Sequence, residues 1–188
     1  MNQPQLVFGF HGCEEDVRDK ILNSDNEHLD KSSNSYDWLG NGIYFWLNDP
    51  MRAYEWAEQK KKTKPAVIGA VIDLGECLNF CERTSIELVS LAYRIVKYEA
   101  EMAGIEMKKN KVPDKGGFNL IRELDCAVIE RLHQELEKDG ERVFDTVYGF
   151  FQEGEDAYPG SGIKGKSHIQ ICVRNPSCIK GYFLPRRN

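Results

Sequence analysis

Three short stretches, far apart in the chain, carry residues that could work together on one ligand. "GFHGC" places His11 at the end of an apolar run, and Gly12 after it lets the backbone approach a ligand closely. "YDWLGNGIYFW" sets two tryptophans and three other aromatics beside glycines. A core strand has no need of Gly-Asn-Gly, and a surface loop has no need of Tyr-Phe-Trp. Together they suit a strand that is half core and half wall of a pocket for a flat ring. Tyr44 and Trp46 would then face that pocket, with Gly42 leading in, while Phe45 faces the core. "SHIQICVRN" sets His168 and Gln170 two residues apart, hence on one face of a strand.

The surrounding pattern supplies elements to hold them. Residues 5–12 read as a short strand, and 14–23 as a helix with Val17, Ile21 and Leu22 on one side. Polar residues 23–35 have loop composition. A strand over 42–47 leads into a helix over 48–62, with Asn48 or Asp49 as N-cap, Pro50 in the first turn and Ala53, Trp56 and Ala57 facing inward. The continuous apolar run of 66–75 predicts a central strand. Residues 84–104 and 119–140 read as amphipathic helices, the first carrying Ile86, Val89, Tyr93 and Val96, the second Ile121, Leu124, Val128 and Leu132. Each stops at a glycine, Gly104 or Gly140. The lysines of 105–117 between them read as a solvated face. Strands follow over 142–154, 168–175 and 179–184. The Gly/Pro/Ser-rich stretch 155–167 is too long for a tight hairpin and has the composition of a functional loop. The order predicts an α+β fold with mostly antiparallel pairing towards the end.

At 188 residues the chain fits one domain with a sizeable core, and 41% hydrophobic residues argue against disorder. No apolar run is long enough for a membrane span, and "MNQPQLVFGFHG" lacks the basic start of a signal peptide, so a cytoplasmic protein without a membrane partner is expected. The six cysteines form no framework and read as buried thiols. Cys77, Cys81 and His133 do not match the usual zinc spacings, and no metal is expected. A net charge of −5 argues against coating nucleic acid through bulk charge, though not against a local basic groove.

The three stretches, in this order and with a helix starting just after the second, resemble the ADP-ribosyltransferase family. The branch they resemble is the one shared by diphtheria toxin and the poly(ADP-ribose) polymerases, which carries His, Tyr and Glu on three strands. "FHG" is similar to the family's His-Gly motif, placing His11 and Gly12. "GNGIYF" is similar to its glycine–aromatic strand, placing Tyr44. "QICVRNPSCI" is similar to the late strand, placing Gln170 at the glutamate position. The resemblance covers about residues 5–75 and 143–184. It implies split antiparallel β-sheets around an NAD cleft in a single domain over 1–188, with 79–140 as a helical insertion. It also implies transfer of ADP-ribose from NAD, a substrate, to a macromolecular acceptor. His11 would hydrogen-bond a ribose hydroxyl, the Gly12 backbone would pair with the carboxamide, and the aromatic wall of Tyr44 and Trp46 would hold the nicotinamide. Read alone, Tyr44 also fits a core tyrosine.

Gln170 departs from the pattern. Its amide can hydrogen-bond a hydroxyl but carries no charge. A carboxylate about 4 Å from a developing cation would contribute roughly 1 to 4 kcal/mol at water-like to surface-like effective dielectric. Glu153, at the end of a strand, and Glu155 are the nearest acids in sequence that could supply it; both also fit solvated loop acids. A binding module that holds NAD or ADP-ribose without efficient catalysis is the alternative.

In the family, the loop before the late strand meets the acceptor. Arginine-modifying members have a second glutamate two residues before the catalytic one; His168 stands there, which disfavours arginine. Tyr158 offers a stacking ring and Lys164 and Lys166 offer charge, so a single-stranded nucleic acid is favoured as acceptor over protein. Small transferases of this kind resemble toxins of toxin–antitoxin and anti-phage systems, and helices 79–140 could dock a partner such as an antitoxin.

Overall fold

The computed structural model describes residues 5–60, 63–111 and 121–186. The chain opens with β1 (Leu6–Glu14), α1 (Glu15–Leu22), β2 (Ile43–Leu47), α2 (Pro50–Lys60) and β3 (Pro65–Asp73). Next come β4 (Cys77–Asn79), α3 (Arg83–Ala103), the short β5 (Asn110–Lys111) and β6 (Ile121–Arg122), and α4 (Glu123–Lys138). It closes with β7 (Thr146–Phe151), β8 (His168–Val173) and β9 (Ile179–Phe183). The second part of the basic stretch expected as a solvated loop, 112–117, lies outside the described residues, as do positions 61 and 62 at the expected end of the second helix.

The fold is α+β. Seven strands form one sheet in the order β4-β7-β8-β2-β1-β3-β9, antiparallel except for β4 and β7, while β5 and β6 pair separately. The split into two sheets that the resemblance implied is therefore replaced by one sheet with a narrow seam. β1 follows β3 through nine register pairs, from Leu6↔Asp73 to Glu14↔Pro65, but meets β2 only at Gly9↔Leu47 and Phe10↔Trp46. The reason lies at the ends of β2. Asn48 turns the chain with φ 53, its N–H held by the Phe8 carbonyl at 3.0 Å. At the other end the imidazole of His11 takes the Tyr44 carbonyl at 2.7 Å, beyond the reach of the β1–β2 ladder.

Both faces of the sheet are covered. One core gathers Ile43, Phe45, Ile68, Ile72, Ile171 and Val173 beneath α1, with Phe45 fully buried as its position predicts. The other gathers Leu39, Leu78, Ala92, Val128, Ile129, Leu132, Val147, Phe151 and Cys172 beneath α3 and α4. The helical segment thus closes one face of the sheet, framed by the parallel β4 and β7. The buried stripe of α3 differs from the expected one. Leu88, Val89, Ala92, Val96 and Ala100 face the sheet side, whereas Ile86 and Tyr93 are 48% and 39% exposed. Ala92 and Ala100 are buried on this helix, and the larger Ile86 and Tyr93 line a cavity of about 350 Å³ between α3 and α4. Gly104 ends α3 in the left-handed region, the conformation glycine accepts at a helix end. No described helix is long and apolar enough to cross a membrane.

Candidate functional site

Helix α2 begins where Asp49 Oδ1 accepts the Arg52 N–H at 2.9 Å, an N-cap followed by Pro50. From that start, Ala53 and Ala57 lie fully buried against β1. A side chain at Gly12 would place its Cβ 2.1 Å from the Ala53 carbonyl, so glycine is required there for the helix to pack. Gly12 does not line the neighbouring cavity. The adjacent helix face carries Arg52, Trp56, Gln59 and Lys60 at helical spacing, and all four do line it.

This cavity measures about 420 Å³, within the roughly 300–1,000 Å³ of small-molecule sites. It collects His11 from β1, Tyr44 and Trp46 from β2, Gln170 from β8 and Glu153 from just past β7. Gly42 opens its β2 wall; a Cβ there would meet Cys172 Sγ at 2.5 Å. The loop between α1 and β2 closes another side with Asp30, Ser32, Asn34, Asp37 and Trp38. Glu130 of α4 ties that loop in place, accepting the Asn41 N–H at 2.7 Å and pairing with Arg174. Burial works against its charge, yet the Arg174 and Asn41 bonds hold the Glu130 carboxyl below its usual range.

His11 carries its proton on Nδ1, because the Tyr44 carbonyl at 2.7 Å can only accept. Its ring lies 5.9 Å from Phe45 and 6.3 Å from Trp56. Trp46 and Trp56 sit 5.8 Å apart at 52°, giving the cavity an indole corner. The buried indole nitrogen of Trp46 has no hydrogen-bond partner among the described residues. Tyr44 contributes its ring to the wall, but its hydroxyl is committed. It donates to the Gly40 carbonyl at 2.7 Å and accepts the Leu39 N–H at 2.8 Å. Burial drives its phenol well above the usual value, so it stays a neutral donor.

Glu153 is buried and receives a short hydrogen bond from the equally buried Arg52. Its carboxylate also lies 3.7 Å from Nδ1 of His168. His168 is only 5% exposed, enclosed by Trp38, Trp46 and Phe151. Burial holds its imidazole below the usual value, with the Lys166 carbonyl and Glu153 pulling the other way. His168, expected at the acceptor, is therefore a buried neighbour of Gln170. Its strand places it at Phe151 of β7, on the inner side of the sheet.

The rest of the expected acceptor set lies on the loop before β8. Tyr158 is 60% exposed, while Lys164 pairs with Asp156 at 2.7 Å and Lys166 with Glu55 at 3.2 Å. The loop closes on itself through backbone bonds, among them Ala157 N–H to Ile163 O and Gly165 N–H to Glu155 O. Among the described residues no cluster of three or more His, Cys, Asp or Glu could hold a metal. Burial also pushes the Cys172 thiol well up and that of Cys126 to about 11, which leaves neither as a thiolate at neutral pH.

Arg52, Trp56 and Trp38 were not singled out as site residues by the sequence reading. The first two had a signal: an arginine and a tryptophan four apart, one turn after a strong N-cap, beside a small-residue stripe. Trp38 had none beyond its place in the aromatic-rich stretch.

No protein-family model matches the chain, and no solved structure does. The chain is similar to an uncharacterized protein of Methanocaldococcus jannaschii, at 26% identity over 189 residues, spanning 91% of this chain and 83% of that protein.

Proposed function

We propose that the protein is an ADP-ribosyltransferase-like enzyme that cleaves NAD at the nicotinamide bond and transfers ADP-ribose to a macromolecular acceptor. The observation that carries this reading is convergence. His11, Tyr44 and Gln170 come from three strands, the first and last separated by most of the chain, and line one cavity walled by tryptophans. Three carboxylates, Asp30, Asp37 and Glu153, line it against two cations, Arg52 and Lys60.

The chemistry asks for this arrangement. Breaking the bond sends its electrons out with nicotinamide and leaves positive charge at the anomeric carbon, as in glycoside cleavage. Flat aromatic walls hold the departing ring. His11 and Gln170 offer hydrogen bonds to the ribose hydroxyls. Glu153 supplies negative charge at the cavity edge, moderated by its pairing with Arg52. The reading is tested by incubating the protein with NAD and measuring free nicotinamide; no release above the buffer rate would overturn it.

Gln170→Ala is expected to slow nicotinamide release by roughly 5- to 150-fold, the equivalent of about 1–3 kcal/mol for a hydrogen bond lost at a buried site. An unchanged rate would transfer the role to Glu153. For the acceptor, the reading favours a single-stranded nucleic acid stacked on Tyr158, with Lys164 and Lys166 turning from their carboxylate partners to phosphate. Changing Tyr158, Lys164 and Lys166 together to alanine should spare NAD hydrolysis, cut transfer, and flatten its dependence on salt. The two ion pairs at these lysines favour a protein acceptor as the second reading, and transfer that ignores both salt and the triple change would establish it.

A further inference from the structure

We propose that His168 is a positioning residue: it fixes the amide of Gln170 with its carbonyl oxygen toward the cavity, so that a neutral glutamine offers a ribose hydroxyl the acceptor a glutamate would offer. This rests on reading the cavity as a site for the ribose of NAD.

The geometry settles which nitrogen of His168 carries the proton. Nδ1 lies 2.7 Å from the Lys166 carbonyl and 3.7 Å from a Glu153 carboxylate oxygen, and both can only accept. Nδ1 is therefore the N–H, and Nε2 holds a lone pair. The Gln170 amide nitrogen stands 3.1 Å from Nε2 and donates to it. The opposite orientation would set the amide oxygen against that lone pair. With its nitrogen engaged there, Gln170 has its oxygen left for the cavity it lines, and among the described residues the amide makes no other hydrogen bond. Neither partner can turn easily. The imidazole is packed against Trp38 at 6.3 Å and 22° and against Phe151 at 5.9 Å. The backbone of Gln170 is fixed between Trp46 of β2 and Gly149 of β7.

The arrangement depends on pH in a definite direction. If Nε2 gains a proton it becomes a donor, and the amide must present its oxygen to it, leaving the NH₂ facing the cavity. An NH₂ group cannot accept from a hydroxyl. Facing the imidazole are Glu153 past β7, which favours the charged form, Asp49 at the start of α2, which does the same, and Arg52 of α2, which opposes it. Burial is the largest influence and holds the imidazole low, so the neutral tautomer persists at pH 7 and is lost only on acidification below the ordinary histidine range of about 6.5.

Two measurements test this. The first is a long-range ¹H–¹⁵N spectrum of the ligand-free protein, with the His168 signals assigned by comparison with His168→Gln. A proton on Nδ1 and a bare Nε2 are expected; a proton on Nε2 at pH 7 overturns the proposal whatever the protein does to NAD. The second is nicotinamide release across pH. Wild type should lose activity on acidification. His168→Ala, which frees the amide to rotate, should fall about tenfold or more at pH 7. His168→Gln, whose side-chain oxygen can accept from the Gln170 nitrogen, should regain most of that loss and lack the acid limb. If His168→Gln is no better than His168→Ala, or keeps the acid limb, the positioning role is overturned. If wild type releases no nicotinamide while Nδ1 carries the proton, the NAD reading fails and the tautomer stands.

Discussion

His11→Ala is expected to lower nicotinamide release about a hundredfold or more while leaving the sheet folded. A hundredfold corresponds to roughly 2.7 kcal/mol of transition-state stabilisation, within reach of a hydrogen bond made as charge develops. The structural cost is smaller, because His11 is only half-buried and its bond to the Tyr44 carbonyl is worth about 1 kcal/mol. Circular dichroism and a melting curve separate the two effects. Full activity in a folded His11→Ala protein would remove the histidine from the site. Tyr44→Ala cannot be read the same way. Tyr44 is also half-buried, but its ring packs against the core, so truncating it costs up to about 3 kcal/mol, and it would also strip the hydroxyl from Leu39 and Gly40.

Arg52→Ala is expected to destabilise the protein by roughly 3–5 kcal/mol, because it leaves Glu153 buried without its cation. For a chain of this size that lowers the melting temperature by about 10 °C. Arg52→Met combined with Glu153→Leu should recover most of the stability and none of the activity, since the pair is replaced by apolar volume. Thermal denaturation of the single and double variants decides it. A melting point unmoved in Arg52→Ala would mean that the pair is solvated in solution.

The elements of this fold were readable where periodicity and end signals agreed. α2 follows from Asp49 and Pro50, α3 from its stripe and Gly104, and β8 from alternation. The inner face of α3 was misjudged because Ala92 and Ala100, which are buried, carry little weight in a hydrophobic pattern. β4 escaped notice because three residues show no period, although it pairs with a strand nearly seventy positions away. In the site, Glu153 was within reach of sequence reasoning, being the acid nearest the end of a strand. Its partner Arg52 had a signal in its place one turn after the N-cap, but that it meets Glu153 was not legible, since it depends on how the strands between α2 and the end of β7 are ordered. His168 was placed on the right strand and given the wrong surroundings: alternation puts it on Gln170's side, but nothing in the sequence says that three aromatic rings close over it.

The place of β8 between β7 and β2 has a consequence during synthesis. His11 and Tyr44 leave the ribosome early, together with β1, β2 and β3, which can pair among themselves at once. The Gln170 corner arrives well over a hundred residues later, several seconds at roughly 5–20 residues per second. Until then the outer side of β2 is an unpaired strand edge, the kind of surface that nascent-chain chaperones shield. A growing chain therefore has only part of the cavity wall, and the cavity is completed only when β8 docks and brings in Gln170.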